Sequence, residues 1–495
     1  MKEIKSSEIA IIVPPVRSYT QRLPFGVMYI SSYLSFKGED NVILDFKNVN
    51  TNEAYEKIKN YIINVKPKFI GISCFVSEVD IVRDMCKFIK KYSKDSMIII
   101  GGPHPSINPY YFMDMKFDYL VIGEGEHTFY ELIKTLKNKK DINKINGIAY
   151  IKSKKLIFTP PREFIQDLDS LPFPAYDKVD MDFYCRPNAW GNRPIYLSGL
   201  NISSARGCPY HCKFCVINTI WGQKLRVMSA KRVAEHIEYI VKKYKIDSVY
   251  FIDESFTISK ERVYELFNLL KEKKIKILFG CQTRVNLIDE KLLKFMKKNG
   301  CLQVELGIES GTDKMLKVIN KQIEVKDIVN AGNIFKKIKL RTFANMMINL
   351  PGEELKDVKK SLNLVKKMRF NVVVWNVYIP YPGVEFDKTL DIEDLPKLLK
   401  GPSKIGTNEG EFYDLLEKKY KFAKYDKPIS EVVKNLRSNT FYPKDVKFTL
   451  NPYYWYSAFL MFSYLFKYQY WLGLLRSKRK IQYLTNLPKI LFLYS

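Results

Sequence analysis

No paired cysteine framework runs through this 495-residue chain: its eight cysteines lack the regular spacings of a disulfide-stapled secreted domain, which points to a reducing, cytoplasmic compartment. An export signal is missing too, because residues 1–8 are charged and contain no apolar core. A membrane-spanning helix needs about 20 largely apolar residues, and the uncharged stretch 453–466 falls short of that. Acidic side chains are in deficit, 53 against 81 lysines and arginines, leaving a net charge of +28. Such an excess either attracts an anionic partner or is the solvated surface of a chain rich in lysine throughout. The length exceeds what one hydrophobic core serves, so two or three domains are expected.

Against these absences, three cysteines crowd into eight positions, Cys208, Cys212 and Cys215 in Ala-Arg-Gly-Cys-Pro-Tyr-His-Cys-Lys-Phe-Cys. Thiolates this close on one loop can hold one metal centre. A four-iron cluster usually takes four of them, so three leave one iron open, as a catalytic zinc keeps one position free. A zinc knuckle or buried free thiols are the competing readings, but no CxxC pair lies nearby to close a tetrahedron.

Ahead of that loop, apolar runs at 9–13, 42–44, 69–73, 97–100 and 119–122 alternate with amphipathic helical patterns, the signature of a parallel, doubly wound sheet. Ligands of such sheets sit outside the carboxyl ends of the strands. The loops there carry Pro14-Pro15, Ser73-Cys74, Gly101-Gly102-Pro103-His104-Pro105 and Gly123-Glu124-Gly125-Glu126. A proline- and acid-rich linker follows at 160–176. A second alternating series then places strands at 202–204, 248–252, 277–281, 303–307, 342–348 and 372–379. Six strand-helix units fit a partial barrel, with chemistry on the loops at the carboxyl ends of its strands. Those loops hold Asp253-Glu254, where paired acids can accept hydrogen bonds from an amino group or a ribose; Arg284, whose planar fork suits a carboxylate; Glu309 between glycines; Asn345; and Pro380 in Pro-Tyr-Pro-Gly.

The CxxxCxxC loop with Phe214 before its last cysteine resembles that of the radical S-adenosylmethionine enzymes. Together with the glycine-rich loops and the stretch Leu23-Pro24-Phe25-Gly26-Val27-Met28-Tyr29-Ile30, it resembles the subgroup with a cobalamin-binding domain, which contains hopanoid methylases and the anaerobic magnesium-protoporphyrin ester cyclase. The Asp-x-His-x-x-Gly signature of other cobalamin proteins is absent. The resemblance implies a cobalamin-binding, Rossmann-like domain over 1–150, a linker over 151–198, a partial (β/α)6 barrel of TIM type over 199–393 and a basic, aromatic helical region over 394–495. It implies a [4Fe-4S] cluster on Cys208, Cys212 and Cys215, and S-adenosylmethionine held by Phe214, Asp253, Glu254, Arg284, Glu309, Asn345 and Pro380. Cobalamin would lie against Gly26, Ser73, Gly101, Gly102, His104, Glu124 and Gly125. For His104 a plain turn or polar contact competes with that role.

The activity implied is cleavage of S-adenosylmethionine to a 5′-deoxyadenosyl radical and, with cobalamin, methylation of an unactivated carbon. Cyclisation or oxidation of a lipid or tetrapyrrole and the methylthiolation of transfer RNA are the alternatives. No second cysteine trio and no small strand-rich RNA module favour the last, so nucleic acid is not the expected partner. A ferredoxin or reductase is the expected electron donor. The aromatic-then-basic order over 453–480 suggests an interfacial helix or a cover over a lipophilic substrate, and so a peripheral membrane contact.

Overall fold

Strands buried on both faces read as unbroken apolar runs, and the five foreseen at the amino terminus form in that way. In the computed structural model, which describes residues 6–15, 22–185, 199–386 and 409–440, β1 (Ile9–Val13), β2 (Val42–Asp45), β3 (Phe69–Ser73), β4 (Met97–Gly101) and β5 (Tyr119–Val121) lie parallel in the order β2-β1-β3-β4-β5. Successive side chains of β1 feed opposite layers. Ile9, Ile11 and Val13 pack with Val27, Met28, Phe129 and Leu132, whereas Ala10 and Ile12 pack with Ile58, Val82, Cys86 and Ile89. Helices therefore cover both faces, and the strand order reverses direction at β1, opening a crevice at the carboxyl ends of β1 and β3.

Two further strands, β6 (Ile148–Lys152) and β7 (Lys155–Phe158), extend this sheet antiparallel at the β5 edge. Their turn, Ser153-Lys154, has both φ angles positive, at 50° and 62°, as a type I′ hairpin requires. The first sheet thus runs on to Phe158, into the stretch that the sequence reading gave to the linker.

The second sheet is wholly parallel, with β8 (Gly199–Ile202), β11 (Ser248–Phe251), β12 (Leu278–Thr283), β13 (Cys301–Glu309), β14 (Arg341–Ile348) and β15 (Val372–Val377) in the order β15-β14-β13-β12-β11-β8. Its first strand ends at Ile202, earlier than the 202–204 expected. The amides of Ser204 and Ala205 instead donate to Asp253 Oδ1, at 2.6 and 3.0 Å, and the chain leaves the ladder. Between β8 and β11 lies a two-residue antiparallel ladder of β9 (Ala205–Arg206) and β10 (Arg226–Val227).

Helix Ala230–Tyr244 shows why the intervening segments coil. Ser229 caps it by accepting from the Arg232 amide at 3.0 Å, Lys245 ends it at φ 54°, and Val233, Ala234, Ile237 and Ile240 form the buried stripe. Beyond the barrel, helices Glu409–Lys419 and Ile429–Asn439 are bolted on by Asn349. Its amide donates to Tyr378 O (3.2 Å) and Tyr420 O (2.8 Å), and its Oδ1 accepts from Phe422 N (3.0 Å) and Ala423 N (3.3 Å). Residues 453–480, to which the membrane contact was assigned, lie outside the described residues.

Candidate active site

The cysteine loop is an excursion pinned at its base by the β9–β10 ladder. Gly207 can sit at φ 86° only because it lacks a Cβ, which would meet Lys224 O at 2.3 Å. The loop backbone is satisfied from the barrel: Lys213 N donates to Ile319 O (3.0 Å), Asn320 Nδ2 to His211 O (2.8 Å) and Asn218 Nδ2 to Tyr210 O (2.8 Å). Cys208, Cys212 and Cys215 are all partly covered. Burial pushes the Cys208 thiol up and the Cys215 thiol up to about 12, with Glu254 adding to both. A metal centre binding there must therefore release protons.

Among the described residues, no three His, Cys, Asp or Glu side chains are grouped to hold a single metal ion. A four-iron cube takes each thiolate on a different iron, so it needs sulfurs spread around it and not converging on one point. Three sulfurs on one loop suit that group.

A shell from the neighbouring strand ends surrounds the trio. Arg284, after β12, places Nη1 3.6 Å from Cys212 Sγ, stacks 3.7 Å over the Tyr210 ring, and donates to Lys321 O. Lys321 Nζ pairs with Glu309 at 2.7 Å, both buried, and stands 5.6 Å over the Phe214 ring. Gly307 makes room for this pair, since a Cβ there would lie 2.8 Å from Lys321 Nζ. Phe214 packs with Met315, Ile319, Met347, Leu350 and Tyr378.

One cavity of about 1,360 Å³ opens between the carboxyl ends of the two sheets. That exceeds the roughly 300–1,000 Å³ of ordinary small-molecule sites and leaves room for a group as large as a corrin. Of the residues expected to meet cobalamin, Gly26, Ser73, Gly101, Gly102, Glu124 and Gly125 line it. A Cβ on Gly26 would meet nothing within 4 Å, so the floor there is open to a ligand's face. From the other side come Asn201, Ser203, Arg206, Trp221, Glu254 and Glu305. Burial, with the Asp253 carboxylate beside it, pushes Glu254 up to about 7. A positively charged ligand favours its ionised form, which suits a sulfonium bearing an ammonium group.

Several expected contacts are placed elsewhere. His104 does not line the cavity and lies buried against Tyr111 and Phe112, ring centroids 5.3 and 5.4 Å away. Asp253 is also withdrawn from the cavity. Its oxygens accept from Ser204 N, Ala205 N and the Ser204 hydroxyl, with Arg262 at 3.6 Å, so it braces the start of the cysteine excursion. Pro380 is buried three residues after β15, and Asn345 donates to Glu305 at 2.7 Å without lining the cavity itself. Glu124 lines the cavity, yet its carboxylate is engaged by Arg206 (2.7 Å), Arg226 (2.9 Å) and Ile165 N (2.6 Å). Sequence reasoning assigned no role to Arg206, Arg226, Glu126, Tyr250 or Glu305. Nothing local marks the two arginines, which meet Glu124 and Glu126 across 80 to 102 residues. Tyr250 and Glu305 sit inside strands, where an acid in an apolar run is the available signal.

A doubly wound sheet facing a parallel partial barrel, with three thiols on the barrel's first loop and a large cavity between, is a frame that suits an iron–sulfur enzyme with a second, bulky cofactor. The Radical SAM superfamily model matches residues 202–365, and the B12 binding domain model matches residues 17–133. An uncharacterized methyltransferase of Pyrococcus horikoshii is 28% identical over 388 residues, covering 77% of this chain and 82% of that one. The anaerobic magnesium-protoporphyrin IX monomethyl ester cyclase of Rubrivivax gelatinosus is 27% identical over 72% of this chain and 64% of its own. Among solved structures, the radical S-adenosylmethionine methyltransferase TsrM of Kitasatospora setae shares the fold at TM-score 0.64 and 18% identity, covering 75% of this chain and 73% of that one. The chain carries a Radical SAM domain together with a B12-binding domain. A [4Fe-4S] cluster, S-adenosylmethionine and cobalamin are its cofactors.

Proposed function

We propose that the protein methylates an unactivated carbon of a small molecule with a lipophilic body. When bound, the cluster and S-adenosylmethionine supply an electron and a hydrogen-abstracting carbon radical, and cobalamin supplies the methyl group. The observation that carries this reading is the shared cavity walled by both the B12-binding sheet and the barrel. A shared space lets a carbon radical meet a methyl donor without crossing solvent, which positions the reactants and excludes water.

Cys208, Cys212 and Cys215 would hold the cluster. Glu254 would accept from the cosubstrate's ammonium, and Arg284 and the Lys321–Glu309 pair would keep the cysteine loop in place beside it. The wall contributed by Phe25, Ile30, Ile217, Ile220, Trp221 and Ile252 is apolar, and this supports a lipophilic substrate. Electrons would enter at a separate groove of about 290 Å³ that Cys212 and Cys215 line, beside the exposed His211 and Gln223, where a ferredoxin or reductase would approach.

Anaerobically reconstituted protein, given reductant, methyl-labelled S-adenosylmethionine and a lipid extract from cells lacking the gene, tests the proposal. A labelled lipid heavier by one methylene is the expected result. Formation of 5′-deoxyadenosine with an unlabelled, ring-bearing or oxidised product would replace methyl transfer with cyclisation or oxidation.

A further inference from the structure

Arg206 and Arg226 are direct cross-strand partners in the β9–β10 ladder that closes the cysteine loop. Like charges in that position repel, and here both guanidinium groups are buried, with side chains 7% and 2% exposed. Two carboxylates from the other domain keep them together. Glu124 accepts from Arg206 Nη1 at 2.7 Å and from Arg226 Nη1 at 2.9 Å, and Glu126 accepts from Arg206 Nη2 at 2.6 Å. Linker residue Ile165 completes the junction, its amide donating to Glu124 (2.6 Å) and its carbonyl accepting from Arg226 (2.8 Å).

The two acids flank Gly125 at the start of helix Gly125–Lys137, in the turn whose residues Gly123, Glu124, Gly125 and Glu126 line the cavity at the end where cobalamin fits. Arg206 lies two residues before Cys208, so the turn that would meet the corrin also sets the base of the cluster loop. Removing one partner of such a buried set leaves an uncompensated charge.

We propose that Glu124 and Glu126, acting on Arg206 and Arg226, are positioning residues that link the two cofactor sites: cluster-loop closure and cobalamin binding favour one another. This rests on the proposed function, in which both groups are resident. Linkage is reciprocal, and couplings of this kind usually amount to about 5- to 150-fold in affinity.

The test titrates hydroxocobalamin, followed by its visible spectrum, into the full-length chain with and without the reconstituted cluster. It also records the cluster's electron paramagnetic resonance spectrum with and without cobalamin. The wild type is expected to bind hydroxocobalamin at least about fivefold more tightly when the cluster is present, and its reduced-cluster signal is expected to shift on cobalamin binding. In Glu126→Gln the affinity ratio falls towards one and the signal no longer responds. Should that variant misfold, the double variant Glu126→Gln, Arg206→Gln removes one charge of each sign and is expected to behave in the same way. Equal affinities in a wild type that still binds cobalamin, or a ratio that persists in the double variant, overturns the linkage alone. A wild type that takes up no cobalamin in either state overturns the proposed function, and the linkage with it.

Discussion

The phenol of Tyr250 donates to the carboxylate of Glu305 at 2.6 Å, passing over the strand that separates them. Gly280, which carries no side chain, stands in register with Tyr250 on β12. Tyr250 and Glu305 line the barrel side of the cavity, where Glu305 also accepts from Asn345 at 2.7 Å. Tyr250→Phe removes one donor from a buried carboxylate. It is expected to destabilise the protein by about 1–3 kcal/mol, read as a lower denaturant midpoint. Gly280→Leu fills the passage and is expected to cost at least as much.

Gly207 yields a second prediction. Alanine there faces both a positive φ and a Cβ 2.3 Å from a carbonyl oxygen, whereas alanine at Gly26 meets no atom within 4 Å. Gly207→Ala should lower the iron and sulfide retained after anaerobic reconstitution, while Gly26→Ala should retain the cluster and weaken cobalamin binding.

A third prediction concerns pH. Burial pushes the Glu353 carboxyl up to about 7, against a hydrogen bond from Tyr425 that opposes the shift. A folded-state value above the unfolded one means that the native chain holds the proton more tightly. The contribution is full below about pH 4.5 and is lost as pH rises towards 7, after which it is flat. In Glu353→Gln this component of the stability change between pH 4.5 and 7 should vanish, as measured by urea midpoints across that range.

His236 supplies the opposite slope. Burial lowers it to about 3, where it stacks on Phe173 (4.7 Å) and meets the Tyr176 hydroxyl at 2.8 Å, joining the linker to the barrel. Its contribution is present above about pH 6.5 and is lost as pH falls through 3. His236→Gln should reduce the acid-side loss and loosen the linker, read as faster proteolysis within 160–176.

How much of this was legible in the sequence follows from distance along the chain. Strands such as Ile9–Val13 and Arg341–Ile348 show as apolar runs because both faces are covered. The cysteine trio shows because its ligands share one loop. The hairpin Ile148–Phe158 does not show, since its turn uses Ser153-Lys154 in place of Asn-Gly. Asp253 and Glu254 look alike as neighbours, yet one turns inward to Ser204 and the other faces the cavity, and only tertiary packing separates them. Glu124 shows as a loop residue facing a ligand, but its ion pairs with Arg206 and Arg226, and that of Glu126 with Arg206, form only when two domains come together.

The central claim is a cluster with one iron left open by a three-thiolate loop. The most direct measurement is the yield of 5′-deoxyadenosine from S-adenosylmethionine, using protein reconstituted without oxygen and reduced, beside a variant in which Cys208, Cys212 and Cys215 are alanine. The account predicts steady formation by the wild type and none by the variant. Stoichiometric zinc in place of iron, or equal yields from the two proteins, would contradict it.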